Sequence, residues 1–300
     1  MCWHTGIEHG IDVADRILSW LLDTLAATAV ETLVVGGALL AFGLLLYWLE
    51  RRAFAVMGQA FGVKATVIAT GWIGTTVHEL SHALMCLAFR HKITQMSLFS
   101  PDMESDVLGY VRHAWDRGSL YQNLGLLFIG IAPLLVGSAL VLGLGYLLAP
   151  GFGGVMETAA AMPSLGDAPG YREYASWLAR VVGETTAALF APGQLGRWQL
   201  WVFLYVSLSV TSHLAPSPAD LRGSWPGLGI LLALLFVVNG LLVALGQGPL
   251  DWLYRWSHWL GSGAGLMTLA VLLSAASFLA SYVASAIWHG LRGKGILWPV

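Results

Sequence analysis

The stretch ATVIATGWIGTTVHELSHALMCLAF, residues 65–89, decides how this chain folds and contains its most informative motif. As a helix it is long and apolar enough to cross a bilayer, which takes about 20 predominantly apolar residues. Glu79 is its only formally charged side chain. An ionisable group in such a setting is costly to bury and therefore predicts a functional site.

The composition of the whole chain supports a membrane setting. Hydrophobic residues make up 57% of the 300 residues and charged residues only 11%, whereas soluble domains carry about 25% charged residues. The net charge of −2 gives no electrostatic reason to expect a nucleic-acid partner. Cys2 and Cys86 cannot build a disulfide framework, and residues 1–15 lack the pattern of a signal peptide.

We therefore expect an all-α polytopic membrane protein. Charge-free intervals predict about six transmembrane helices, at roughly 28–49, 65–89, 119–149, 198–214, 226–247 and 264–289. Glu31, near the start of the first span, is expected at the membrane interface. Residues 11–26 predict an amphipathic surface helix, and 171–190 predict a second one. Basic residues divide almost evenly between the two sides, with a small excess that favours both termini in the cytoplasm.

His78, Glu79 and His82 form an HExxH motif. Positions i and i+4 share one face of a helix, so the two imidazoles can hold one zinc ion with Glu79 beside it as candidate general base. A purely structural pair of histidines bonded to backbone carbonyls is the alternative. Cys86 lies on the same face and is a further conceivable ligand, although buried thiols more often serve packing.

A third ligand must come from elsewhere, because a catalytic zinc ion usually has three protein ligands and one open position. Pro216 and Pro218 break the chain after the fourth predicted span, and irregular backbone survives at membrane depth only beside protein or water. Asp220 in this break is the candidate ligand, with an ordinary ion pair to Arg222 as the alternative. His213 is a candidate oxyanion donor, outer hydrogen-bond partner or further ligand.

In their order along the chain, these features resemble the site-2 proteases, a family of intramembrane zinc metalloproteases. Residues 92–99 and 107–111, joined by 100–106, are similar to the family's membrane-associated β-hairpin. Ile131-Ala132-Pro133-Leu134 is similar to its small-residue-Gly-Pro-Leu segment, and Pro218-Ala219-Asp220 to its Pro-x-x-Asp-Gly break. The chain departs from the family at Leu221, where glycine is expected, and at Ser212-His213, where the family has an asparagine.

The resemblance implies a zinc endopeptidase that cuts membrane-spanning or membrane-anchored proteins, with His78, His82 and Asp220 as metal ligands and Glu79 as base. It divides the chain into an amphipathic segment (1–26), a first transmembrane helix and connector (27–64), a metalloprotease core (65–225) and a C-terminal transmembrane pair (226–300). The expected location is a prokaryotic cytoplasmic membrane, as a multi-pass protein in the lipid bilayer.

The predicted hairpin also suggests how a substrate binds. An unwound substrate segment can pair with an exposed strand edge by β-augmentation. That edge is either 92–99 or 107–111, and the candidate edge residues of the first are Lys92, Ile93, Gln95 and Ser97. Two other functions remain open from the sequence. One is a non-enzymatic transporter or assembly subunit with a structural metal or histidine site, and the other is a zinc-dependent membrane amidase acting on lipid.

Overall fold

The computed structural model describes residues 4–100, 107–248 and 250–293, and within these ranges the protein is mostly helical. The α-helices are α1 (His4–Glu31), α2 (Gly37–Phe61), α3 (Val63–Thr66), α4 (Trp72–Ala88), α5 (Leu120–Gly130), α6 (Ser138–Leu148), α7 (Phe152–Ala160), α8 (Tyr171–Phe190), α9 (Trp198–Thr211), α10 (Pro218–Ala244) and α11 (Asp251–Leu291). In the same ranges, π-helical turns lie at Thr32–Gly36, Val67–Gly71 and Pro133–Gly137, and a 3₁₀ turn lies at Leu165–Asp167.

Three helical segments of the described chain are long and apolar enough to cross a membrane: Val13–Phe61, Pro218–Ala244 and Asp251–Leu291. The pair Leu120–Gly130 and Pro133–Leu148 adds a fourth if it is one span bent by 56°. Trp198–Thr211 is a shorter apolar helix, and the helix carrying HExxH is not among the spans. The protein is therefore a helical membrane protein, while the expected total of six spans stays a prediction.

Helices α10 and α11 begin at Pro218 and Asp251, earlier than the spans predicted from 226 and 264. The predicted segments differ from the helices at two further places. From residue 4 onward, the amphipathic segment 1–26 and the span 28–49 belong to one helical run through α1, the π turn and α2. The span predicted at 119–149 is interrupted between α5 and α6, because Pro133 lacks the N–H that a continuing helix requires. The predicted helix at Tyr171–Phe190 is confirmed as α8.

A two-stranded antiparallel hairpin follows the HExxH helix, as predicted. Strand β1 is Lys92–Ser97 and strand β2 is Tyr110–Ala114, with Ser97 opposite Tyr110. The second strand begins three residues later than the predicted 107–111, because residues 107–109 belong to the connection. Within β2, Val111 and His113 are partly buried, and the other three residues are exposed. Of the predicted turn, residues 101–106 lie outside the described ranges.

The HExxH helix lies where two groups of helices meet. Apolar side chains of α2, α6, α7, α8, α9 and α11 form the main core. Its largest fully buried apolar members include Phe152, Phe203, Leu46, Leu200, Leu214 and Leu269. The second group packs α10 against α5 and α1. Helix α4 contacts α9 of the first group and α5 of the second, so residues of both groups reach the motif.

Two glycines permit the close approach that this junction needs. A Cβ atom on Gly74 would collide with the Ser209 carbonyl oxygen and the His213 ring. A Cβ atom on Gly130 would lie 2.6 Å from the carbonyl oxygen of Asp220. Helix α9 and the start of α10 can therefore approach α4 and α5 only where side chains are missing.

We expect Gly130→Ala to lower the free energy of unfolding by about 1–3 kcal/mol, the usual cost of overpacking a tight contact. Thermal unfolding in detergent measures the effect. Gly143→Ala on α6 is the matched control, because a Cβ atom there meets nothing within 4 Å and alanine favours a helix. Equal melting temperatures for the two variants would contradict the close packing at Gly130.

A buried polar cluster joins α1 to α10 and α11. Nδ2 of Asn239 donates to Oε2 of Glu31 at 2.8 Å and to Oγ1 of Thr28 at 3.1 Å. Nε1 of Trp252 donates to Oδ1 of Asn239 at 3.0 Å. Glu31 and Asn239 are each only 2% exposed. Glu31, expected at the membrane interface, is thus enclosed by protein, and Asn239 connects all three helices.

Asn239→Ala should destabilise the protein by about 1–3 kcal/mol, because Glu31 and Trp252 then lose a buried hydrogen-bond partner. The measurement is again the melting temperature in detergent. Leu241→Ala serves as control, since Leu241 lies on the same helix and is 61% exposed. If the two variants unfold at the same temperature, the cluster does not hold the helices together.

Candidate metal centre

Helix α4 presents the two motif histidines side by side. The ring centroids of His78 and His82 are 4.8 Å apart, with their planes at 72°. The helix is regular from Trp72 to Ala88, so the i, i+4 spacing brings both imidazoles to one face. Glu79 is 7% exposed. The sequence-based placement of the pair is confirmed.

The break between α9 and α10 supplies a carboxylate opposite these rings. Helix α10 begins with Pro218 at its first position, and Ser217 and Asp220 form a reciprocal capping box. Oγ of Ser217 accepts from the Asp220 amide at 3.2 Å, and Oδ2 of Asp220 accepts from the Ser217 amide at 2.7 Å. The cap fixes the direction of the Asp220 side chain at the start of the helix.

Asp220 reaches both imidazoles. Its Oδ2 lies 3.6 Å from Nε2 of His78, and its Oδ1 lies 3.4 Å from Nε2 of His82. The alternative partner, Arg222, instead donates from Nε to the carbonyl oxygen of Pro218. The prediction from the proline break that Asp220 lies near the motif histidines is therefore confirmed: its carboxylate faces both imidazoles.

Backbone carbonyls hold the opposite nitrogen of each imidazole. Nδ1 of His78 donates to the His213 carbonyl oxygen at 2.7 Å, and Nδ1 of His82 donates to the Ile129 carbonyl oxygen at 2.7 Å. In a neutral ring, a proton on Nδ1 leaves the lone pair on Nε2. Metal-binding histidines are commonly oriented by such an outer hydrogen bond. The carbonyl contacts that the purely structural alternative assumes thus exist, and they turn both Nε2 atoms toward Asp220.

Pro133 explains why the Ile129 carbonyl is available. In a continuing helix this carbonyl would accept from the amide of the residue four positions later, which is Pro133, and proline has no N–H. The segment Ile131-Ala132-Pro133-Leu134 therefore contributes to the site indirectly: its proline leaves the Ile129 carbonyl oxygen free to accept from His82. Proline at i+4 was a usable signal in the sequence, but the sequence alone did not show which donor would take the freed carbonyl.

The three side chains fit a metal ion. Their donor atoms all lie within 4.8 Å of one another. Tetrahedral ligands with bonds of about 2.0–2.1 Å would be about 3.3 Å apart, close to the two distances from Asp220 to the imidazoles. His78, His82 and Asp220 can therefore hold a divalent cation with little rearrangement. Cys86 is fully buried as a free thiol and is not part of this group.

His213 contributes to the site through its main chain. Its carbonyl oxygen orients His78, while its ring Nδ1 lies 3.0 Å from the Ser209 carbonyl oxygen. Because that carbonyl can only accept, Nδ1 carries the proton, and Nε2 of the neutral ring has none to donate. The geometry thus favours an outer hydrogen-bond partner over an oxyanion donor.

A cavity of about 790 Å³ opens onto the three donors. Its walls include Glu79, one turn of α2 with Tyr47, Glu50 and Arg51, and β2 with the residues before it. Of the two predicted substrate edges, residues 107–111 line this cavity, whereas Lys92, Ile93, Gln95 and Ser97 of β1 do not. Sequence analysis missed the contribution of α2.

One wall residue from the hairpin is a histidine. His113 lies on β2, opposite Ile93 of β1. Burial of its ring, together with the nearby imidazoles of His91 and His82, lowers the pKa of His113 to about 4. The ring is therefore neutral at physiological pH.

No family model, curated protein or solved structure matches this chain. The side chains of the candidate metal centre and their geometry are therefore the basis on which a function can be proposed.

Proposed function

We propose that this protein is an intramembrane zinc endopeptidase that hydrolyses a peptide bond in a membrane-spanning or membrane-anchored protein, as its resemblance to the site-2 proteases implies. One observation carries the proposal. Two imidazole Nε2 atoms and the Asp220 carboxylate converge beside Glu79, at a cavity within a helical membrane protein.

Zinc suits this donor set. Two imidazole nitrogens and one carboxylate leave a fourth position open, which is the arrangement of catalytic zinc, whereas structural zinc is enclosed by four protein ligands. Within the described residues, no fourth histidine, cysteine, aspartate or glutamate joins the group. A zinc ion bound there would polarise the substrate carbonyl and lower the pKa of a water molecule.

Glu79 is the residue proposed to move the proton. It directly follows His78 and lines the cavity, and no described residue donates a hydrogen bond to its carboxylate. Its oxygens are thus free to accept the proton of the attacking water and then deliver it to the leaving amine nitrogen. The outer hydrogen bonds of His78 and His82 keep the metal-binding nitrogens unprotonated during this transfer.

The cavity wall suggests the form of the substrate. A transmembrane helix hides its peptide bonds in its own hydrogen bonds, so cleavage requires a locally extended segment. The hairpin is the part of the protein that can pair with such a segment by β-augmentation. Because β2, not β1, lines the cavity, the edge nearest the proposed chemistry belongs to β2.

The test is proteolysis in reconstituted vesicles. Purified protein is incorporated together with membrane proteins extracted from the source cells, and new N-termini are identified by mass spectrometry. We expect cuts within membrane-spanning or membrane-anchored proteins that stop on addition of EDTA and resume on addition of zinc. Release of an acyl chain or amine from lipid instead would identify the amidase alternative. Bound zinc without any hydrolysis would indicate a structural site.

A further inference from the structure

Two histidines meet at the base of the hairpin, outside the three proposed metal ligands. Nδ1 of His91 lies 2.9 Å from Nδ1 of His113. The other nitrogen of His91, Nε2, lies 2.8 Å from the backbone carbonyl oxygen of Gln122. Both imidazoles also pack against Trp115, with ring centroids 5.9 Å and 5.6 Å away. The cluster ties β2 to the end of α4 and the start of α5.

The hydrogen bonds of this pair decide where the protons are. A carbonyl oxygen can only accept, so Nε2 of His91 carries a hydrogen. In the neutral ring, Nδ1 of His91 is then an acceptor, and the hydrogen between the two rings belongs to Nδ1 of His113. The remaining nitrogen, Nε2 of His113, consequently has a lone pair and no hydrogen.

The ring that carries this lone pair belongs to a residue of the cavity wall. No residue of the described ranges hydrogen-bonds to Nε2 of His113. Along the strand, Val111 and His113 occupy the partly buried positions. A Cβ atom on Gly109, two positions before Val111, would lie 2.8 Å from Cγ of Glu79. This face of the hairpin is therefore turned toward the proposed general base. The low pKa of His113 keeps the ring neutral, so the acceptor persists at physiological pH.

We propose that Nε2 of His113 accepts a hydrogen bond from a backbone N–H of an extended peptide in the cavity, and so positions the peptide for cleavage. This inference rests on the proposed function and specifies its substrate class as peptides that carry a free amide N–H near the cut. An ester-linked lipid has no such donor. His113 is a positioning residue in this role, because the proton transfers are assigned to Glu79.

Two substitutions distinguish the roles of the two ring nitrogens of His113. Asparagine places an amide near the Nδ1 position, so His113→Asn keeps a donor for His91 and removes the cavity acceptor. Glutamine places its amide near the Nε2 position, so His113→Gln keeps an acceptor in the cavity and removes the donor for His91. A purely structural role predicts more damage from glutamine, whereas a positioning role predicts more damage from asparagine.

The probe is a leucine–alanine hexapeptide with a C-terminal hydroxamate, and its Kd for the zinc-loaded full-length protein is measured by titration calorimetry. We expect His113→Asn to weaken binding by about three- to tenfold, the effect of one hydrogen bond, with a smaller loss for His113→Gln. The zinc content and melting temperature of each variant are measured in parallel.

A series of singly N-methylated hexapeptides identifies the donor. One methylated peptide should bind wild type as weakly as the unmethylated peptide binds His113→Asn. The affinity of that methylated peptide should be the same for wild type and for His113→Asn. If no N-methylation weakens binding to wild type or to His113→Gln, or if every peptide binds wild type and His113→Asn equally, the role of His113 is overturned. If acetohydroxamate binds wild type as tightly as the hexapeptide does, the proposed peptidase site itself fails, and the inference fails with it.

Discussion

Asp220→Ala is expected to leave the purified protein without its zinc ion and without proteolytic activity. Asp220 is the proposed ligand from the α9–α10 break, and the two histidines of α4 cannot complete a catalytic site alone. Loss of an outer hydrogen-bond partner typically weakens metal binding by about 10- to 100-fold, so loss of a ligand should exceed about 100-fold. Zinc affinity is measured by competition with a chromophoric chelator, and cleavage by the vesicle assay.

Ser217→Ala is the matched control for this variant. It removes the hydroxyl that caps α10, but the backbone N–H that holds Oδ2 of Asp220 remains. We expect a loss of about 1 kcal/mol in stability, as for other N-cap replacements, with zinc still bound. If Asp220→Ala bound zinc as tightly as Ser217→Ala does, Asp220 would not be a ligand and the centre would need another donor.

Glu79→Gln is expected to abolish cleavage while zinc stays bound. Glutamine preserves the shape of the side chain at the cavity wall but cannot accept the proton of the attacking water. General base catalysis contributes about 10²- to 10⁴-fold to the rate, so kcat should fall by that factor with little change in KM. The measurement is product formation at saturating substrate, alongside the zinc content of the same preparation.

Glu50→Gln provides the comparison for Glu79→Gln. Glu50 is the other glutamate of the cavity wall and lies on α2, outside the HExxH motif. It makes the same substitution at another point of the cavity wall and so controls for a general effect of that change on the cavity. We expect Glu50→Gln to retain most of the activity. Equal loss in both variants would mean that any glutamate-to-glutamine change in the wall, rather than the loss of proton transfer by Glu79, lowers the rate.

The parts of the site that follow from local geometry could be predicted from the sequence. The i, i+4 spacing fixes the mutual position of His78 and His82 on any regular helix, and the prolines around Ser217 place Asp220 at a helix start. The carbonyl of Ile129 belongs to α5, which is remote from the motif along the chain although it packs against α4. Its role depends on how α5 packs against α4, and the spacing of residues within one segment holds no information on that packing.

The same limit explains the errors in the fold. Charge-free intervals report composition, so they did not locate the bend between α5 and α6, and they divided the continuous helical run of α1, the π turn and α2 into two segments. The bounds of β2 depend on its pairing with β1, and in the structure residues 110–114 form the strand while the apolar residues Val107 and Leu108 belong to the connection. The local residue pattern thus indicates whether a segment is a helix or a strand, whereas tertiary contacts determine where it begins and ends.

The close contact between α5 and α10 restricts how a substrate can enter. Gly130 lies against the Asp220 carbonyl oxygen, and a Cβ atom on Gly227 would lie 2.5 Å from the Leu127 amide nitrogen. The carbonyl that orients His82 and the carboxylate that completes the centre are thus borne by one tightly joined pair of helices. Separating that pair from α4 would dismantle the centre. For the proposed peptidase we therefore expect a substrate to enter from the lipid beside α2 and the hairpin, which also line the cavity.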